Sequence, residues 1–245
     1  MKPSRILTTF AGALCLGGVF FCHPLFAQPI ESSAKLLPVI QESMAEVGFG
    51  HLVHQITGHA VIPSDQVDPW QKEALAVVSK AAVEVMKSMN LETSPTRKRG
   101  RINEVSRDFE DALRLVLDDQ KDWTCDIPLN ASGKQQRAGY PDLVLLHSPT
   151  GRRVYLDPKV YGELQRASSL RTFYYEPKSA TTKILHDAMH LLIGFEHDGA
   201  GGGKWRFVNW SIIDMSQVKV RLKLEFQTSN RELYKSQHTI SKSEN

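Results

Sequence analysis

The chain has 245 residues, 41% hydrophobic and 23% charged, with 30 Lys and Arg against 27 Asp and Glu. That length is enough for one or two domains with a sizeable core, so a fragment too small to bury one is excluded. The formal net charge of +3 excludes a globally basic protein, so any site for a polyanion must be local.

Residues 1–27 read as a signal peptide outside the fold. Lys2 and Arg5 make a positive start, Ile6 to Cys22 an apolar run, and Ala27 a small residue before cleavage at Gln28. An uncleaved anchor is the alternative, at about the minimum length that spans a bilayer. Cleavage removes Cys15 and Cys22, leaving Cys125 and no internal disulfide, and lowers the net charge from +3 to about +1. The expectation is an exported chain, periplasmic or secreted, with no stable membrane association after cleavage.

Residues 28–92 read as a helical N-terminal segment. Lys35 to Val47 predicts a helix interrupted early by Pro38, and Gly48 to Gly50 breaks it. His51, His54 and His59 have ligand-like spacing without a nearby acid, and read as helix-surface histidines. Asp68-Pro69-Trp70 is a helix start, with Asp as cap and Pro at the first position. Leu75, Val78, Ala82, Val85, Met86 and Met89 then recur at helical spacing.

Residues 93–101 are a basic linker, in which Arg97, Lys98, Arg99 and Arg101 either neutralise phosphates or are simply solvated. Asn103 is a cap candidate for the next helix. Its apolar stripe runs through Ile102, Val105, Phe109, Ala112, Leu113, Val116 and Leu117. Trp123 to Ile127 reads as a strand, and 128–139 as a polar loop.

Tyr140 to Tyr161 carries the chemistry. Leu143 to Leu146 is a continuous apolar run, as in a strand buried on both faces. Ser148-Pro149-Thr150-Gly151 has type I turn chemistry. Val154 to Tyr161, rich in β-branched and aromatic residues, is the return strand. Alternation puts Asp157 and Lys159 on one face, and Asp142 opens the partner strand. Two carboxylates and an ammonium can thus converge at one end of a hairpin, a set able to hold a divalent cation on hard oxygens.

Gly162 to Ser179 reads as a loop in which Arg171, Tyr174 and Lys178 are candidates to line a nucleic-acid groove through charge and stacking, or belong to a partly buried strand. Thr181 to Phe195 predicts a second helix with Ile184, Leu185, Ala188, Leu191 and Leu192 buried and Gly194 near its end. Gly199 to Gly203 is a flexible loop. Trp205 to Met215 and Gln217 to Gln227 predict strands, the last with one largely basic face. Residues 230–245 are a polar tail.

Pro141-Asp142 followed by Asp157-Pro158-Lys159 resembles the PD-(D/E)xK signature of restriction-endonuclease-like phosphodiesterases, over roughly residues 101–227. The resemblance implies an α/β domain at 102–229. Its core runs helix, three strands, helix, strands, in a mixed sheet flanked by helices. It implies a DNA-cleaving nuclease using Mg²⁺ or Mn²⁺, with Asp142 and Asp157 on the metal. Lys159 would orient or deprotonate the attacking water, or stabilise charge at phosphorus. The middle residue of the motif usually lends its carbonyl, which Pro158 retains. Pro158 also makes a regular central strand unexpected there, because proline cannot donate to a ladder. The first core helix of the family often adds a carboxylate. Glu104 is the first candidate and Glu110 the second, although acids in a helix's first turns also merely complement the dipole.

Two other functions compete. His186 and His190, four apart on the predicted helix, with His197 beyond, come near the zinc-protease pattern H-E-x-x-H. Asp187 stands where the general-base glutamate would be, and the third histidine is one residue late. A catalytically inactive, exported nucleic-acid-binding module is the other reading.

Overall fold

The computed structural model describes residues 38, 46–168, 173–199, 204–222 and 227–241. The segment read as a signal peptide lies outside the described residues, as do Arg171, 200–203 and 223–226. The chain divides into two compact units, Met1–Glu42 and Ser43–Asn245.

The second unit holds β1 (Glu46–Gly48), α1 (Phe49–Thr57), β2 (Val61–Ile62), α2 (Pro69–Met89), α3 (Ile102–Asp118), β3 (Trp123–Asp126), β4 (Leu143–His147), β5 (Arg153–Gly162), β6 (Ala188–His197), β7 (Phe207–Asp214), β8 (Lys219–Arg221) and α4 (Asn230–Leu233). Strands β2, β6, β5, β4 and β3 lie side by side, and β7 pairs with β6. The β3–β4, β4–β5 and β6–β7 pairs are antiparallel, while β5–β6 and β2–β6 are parallel. The expected mixed sheet flanked by helices is thus present. One face carries α2 and α3, whose Val78, Val85, Phe109 and Leu113 share a core with Leu145, Leu156 and Ile193. The other carries α1, whose Phe49 and Val53 pack with Tyr155, Ala188 and Leu192.

Local chemistry accounts for the ends. The Asp68 side chain accepts from the Trp70 and Gln71 backbone N–H groups, so the expected cap of α2 is in place. Helix α3 begins at Ile102 after Arg101, without a side-chain cap, so Asn103 lies inside it. His51 and His54 are exposed on α1, as expected.

The predicted helix over Thr181 to Phe195 is instead a loop leading into β6. Buried apolar residues occupy both faces of that strand. Met189, Leu191, Ile193 and Phe195 face α2 and α3, while Ala188 and Leu192 face α1. An unbroken apolar run satisfies helical and alternating spacing equally, and only its central place in the sheet decides. Among the described residues of the β5–β6 connection there is no α-helix, only single turns at Glu163–Gln165 and Ser179–Thr181. At the other end of the unit, Glu46–Gly48 is strand rather than helix, and β8 leaves the main sheet to pair with it.

Pro158 lies within β5, in register with Ile193 of β6, so the strand is regular where a break was expected. The Leu156 carbonyl accepts from the Asp142 N–H, so it points toward β4. Each strand residue directs its N–H and C=O to the same side, alternating along the chain. Pro158, two residues on, therefore turns its ring nitrogen and carbonyl to the β4 side, and the β4 ladder has already ended at Leu143. No ladder bond is lost.

Gly194, read as a helix end, is a close-packing position. A Cβ there would lie 2.8 Å from Cε1 of Tyr161. Gly194→Ala should therefore cost about 1–3 kcal/mol by overpacking, measurable as a lowered urea midpoint. An unchanged midpoint would show that the ring moves aside freely.

Candidate active site

The β4–β5 hairpin does what the alternation predicts. The Leu143–Leu156 pair ends the ladder, the Asp142 N–H still donates to the Leu156 carbonyl, and the Asp142 and Asp157 side chains meet at Lys159 just beyond. Lys159 Nζ lies 2.8 Å from Asp157 Oδ2 and 3.4 Å from Asp142 Oδ2. One ammonium touching both carboxylates brings the three side chains together at the end of the hairpin. The side chains are 3% exposed at Asp157, 14% at Asp142 and 25% at Lys159, so the cluster opens to solvent on the lysine side.

Burial works against charge here, and the neighbours decide the outcome. Desolvation pushes Asp157 up to about 7, with Lys159 opposing and Asp142 reinforcing the rise. Burial also disfavours the Lys159 ammonium, but Asp157 and Asp142 outweigh it and lift Lys159 above its ordinary value. Asp157 Oδ2 is buried without an aligned hydrogen-bond donor, despite its ion contact with Lys159. A buried, under-satisfied carboxylate oxygen beside a second carboxylate is what a hard cation would complete. The Pro158 carbonyl turns to the β4 side, past the last ladder pair. Among the described residues no group of three His, Cys, Asp or Glu side chains could by itself hold a metal.

Of the two helix acids, the structure brings the second to the site. Glu110, on α3, is raised by burial and then by the Asp142 carboxylate, and Lys159 also acts on it. Arg137 holds it at 3.4 Å. Glu104 is exposed in the first turn of α3, where its charge acts on Arg99. Helical spacing alone leaves both candidates open, and the position of the 128–139 loop decides between them.

The outlying candidates are scattered. Tyr174 is 56% exposed. Lys178 is exposed and pairs with Glu176 at 2.7 Å. The neighbouring Phe173 and Tyr175 rings pack edge-on against Phe49. In the basic linker, Arg97 donates to the carbonyls of Asn90, Leu91 and Trp205, and Arg99 grips Asp108 with two hydrogen bonds. Those two arginines serve the fold, while Lys98 and Arg101 are exposed.

The zinc reading fails on backbone geometry, because His186 and His190 share no helix. His186 is exposed beside His59, whereas His190 is buried on β6. Burial lowers His190 to about 3, and its Nδ1 shares a 2.8 Å hydrogen bond with the Tyr140 hydroxyl. It is a neutral core histidine.

One residue at the site escaped sequence reading. Lys183, 1% exposed, precedes β6, and its charge is felt by Asp142, Asp157 and Glu110. Its position beside Ile184 in an apparent helical stripe gave no signal.

Known proteins share this sequence over most of its length. The family model described as the type II restriction enzyme MjaV family matches residues 42–237. The type II restriction enzyme MjaV of Methanocaldococcus jannaschii is 32% identical over 215 residues, covering 84% of this chain and 92% of that protein.

Asp157 yields a prediction that needs no substrate. Its folded value of about 7 exceeds the ordinary 3.8, so its charged form costs stability above pH 7. The cost shrinks as pH falls toward 3.8 and is absent below it. Metal-free Asp157→Asn should thus be more stable than the parent at pH 8, by about 1–3 kcal/mol, with a smaller gain at pH 5. Urea titrations at both pH values check this, and a gain that grows on acidification would contradict it.

Proposed function

The chain belongs to the type II restriction enzyme MjaV family, and from that premise we propose that it is a nuclease that hydrolyses phosphodiester bonds in DNA using Mg²⁺ or Mn²⁺. The observation that carries the reading is the Lys159 ammonium lying against Asp142 and Asp157 at the end of the β4–β5 hairpin. Hard oxygen donors and a partly satisfied buried carboxylate fit a divalent cation better than a soft one.

In this reading Asp142, Asp157 and the Pro158 carbonyl hold the cation. When bound it supplies Lewis acidity at the phosphate and acidifies the attacking water. Lys159, kept protonated by the carboxylates, suits charge stabilisation at phosphorus better than proton abstraction. Glu110 replaces Glu104 as the helix carboxylate that supports the site. Tyr174 and Lys178, with Arg171, remain candidates for contacts to the nucleic-acid strand, through stacking and phosphate neutralisation.

Export is a separate part of the proposal, motivated by the charged, apolar and small residues in order over 1–27. Mature protein recovered outside the cytoplasm should begin near Gln28 on N-terminal sequencing. Material beginning at Met1 would contradict cleavage.

The catalytic proposal is tested on plasmid DNA in Mg²⁺. Asp142→Asn and Lys159→Ala should each lower cleavage by about 10²–10³ while the folded circular-dichroism spectrum persists. His186→Ala should cleave normally. Unaltered cleavage in both site variants would remove the assignment. DNA binding without turnover in the parent would instead favour the inactive binding module.

A further inference from the structure

His190 is a poor filler for the place it occupies. It is fully buried on β6 against the rings of Phe49 and Tyr155, and burial lowers it to about 3, so it stays neutral. Among the described residues its Nε2 finds no hydrogen-bond partner. An apolar side chain of similar size would avoid that cost. What the imidazole adds is its other nitrogen, the Nδ1 that shares a 2.8 Å hydrogen bond with the Tyr140 hydroxyl.

That bond crosses a strand. Tyr140 stands two residues before Asp142 on the chain that enters β4, and β5 lies between β4 and β6. The Tyr140 side chain therefore reaches over the strand that carries Asp157 and Lys159. Its ring stacks on that of His190 with centroids 5.8 Å apart, and Phe49, Phe173 and Tyr175 meet it edge-on. The loop upstream is fastened as well. Ala131 N donates to the Thr182 carbonyl at 2.9 Å, and Ser132 Oγ to the Ala180 carbonyl at 3.1 Å.

Asp142 needs holding of this kind. The β4–β5 ladder ends at Leu143, and Asp142 lies just past it, with its N–H still on the Leu156 carbonyl at 3.1 Å. Such ends open more readily than the middle of a sheet. Ring packing around Tyr140 resists its removal, but a hydrogen bond also fixes its direction.

We propose that His190 is a positioning residue: by holding the Tyr140 hydroxyl across β5 it fixes the chain entering β4, and so sets the Asp142 carboxylate against Asp157 and Lys159. The inference rests on the nuclease reading of the same site and deepens it.

The test uses the full chain, well below its thermal midpoint. Tyr140→Phe keeps the ring and removes the hydroxyl. It should lower kcat on plasmid DNA by about 10-fold, the low end for a group that orients a ligand, with KM for DNA unchanged. Mn²⁺ binding, read by electron paramagnetic resonance, should weaken to a similar degree. At His190 two substitutions of matched size separate positioning from packing. His190→Asn puts an acceptor oxygen near the place of Nδ1, whereas His190→Leu offers none. His190→Leu should have the higher thermal midpoint, because it buries no amide, yet the lower kcat, by about 10-fold relative to His190→Asn. Equal kcat in the two, or a faster His190→Leu, overturns the proposal. If His190→Asn does not fold, Tyr140→Phe decides, and parental kcat and Mn²⁺ affinity there overturn it. Amide exchange in the metal-free chain keeps this apart from the wider reading. The Asp142 N–H should exchange about 2–10-fold faster in Tyr140→Phe, the worth of one lost hydrogen bond. An unchanged rate shows that Tyr140 does not hold Asp142, and overturns the proposal whether or not the chain is a nuclease. A parent that neither binds Mn²⁺ nor cleaves DNA removes the nuclease reading, and the role of His190 in catalysis falls with it even where the exchange result stands.

Discussion

Two carboxylates set side by side repel each other, and burying them adds a desolvation cost of several kcal/mol per ion. The Lys159 ammonium against Asp157 and Asp142 offsets part of both. That contact needs Asp142 and Asp157 on one face of adjacent strands and Lys159 two residues further on. A one-residue slip of β4 against β5 would send Asp142 to the opposite face. The apolar residues of β4 resist such a slip, because Leu143 and Leu145 must bury against α3 and its neighbours. The site is thus held by the hydrophobic register of the hairpin beneath it.

The parallel pairing of β5 with β6 supplies the second constraint. With β6 buried on both faces, β5 has a rigid neighbour along its whole length. The ladder with β4 can then end at Leu143 without β5 fraying. On the β4 side the Pro158 carbonyl and ring nitrogen lie past the last ladder pair, and it is the one side on which proline costs no ladder bond. The residue that sequence reading marks as an irregularity sits where the sheet no longer asks for a donor.

Around this frame charge gathers from three directions: the hairpin, α3 through Glu110, and the segment before β6 through Lys183. Each carries charge that would be costly alone in a low-dielectric setting. Together they form a cluster in which carboxylates and ammonium groups justify one another. The cluster's bias toward the protonated form of Asp157 shows that Lys159 offsets only part of the cost of burying that carboxylate.

The amino-acid sequence by itself determined the hairpin, the cap of α2, the stripe of α3 and the convergence of Asp142, Asp157 and Lys159. These rest on local rules: strand alternation, turn residues and helical periodicity act over a few neighbours. Tertiary structure alone decided the rest. Met189 to Phe195 reads as helix or strand according to whether one face or two are buried, and that depends on β5 and on helices distant in sequence. Glu110, rather than Glu104, lies where the Asp142 and Lys159 charges act on it, because only the fold sets that turn of α3 toward the hairpin. Lys183 entered the site only when its loop was fastened to another. Spacing within a segment is written locally, whereas burial and charge environment arise only when segments remote in sequence meet.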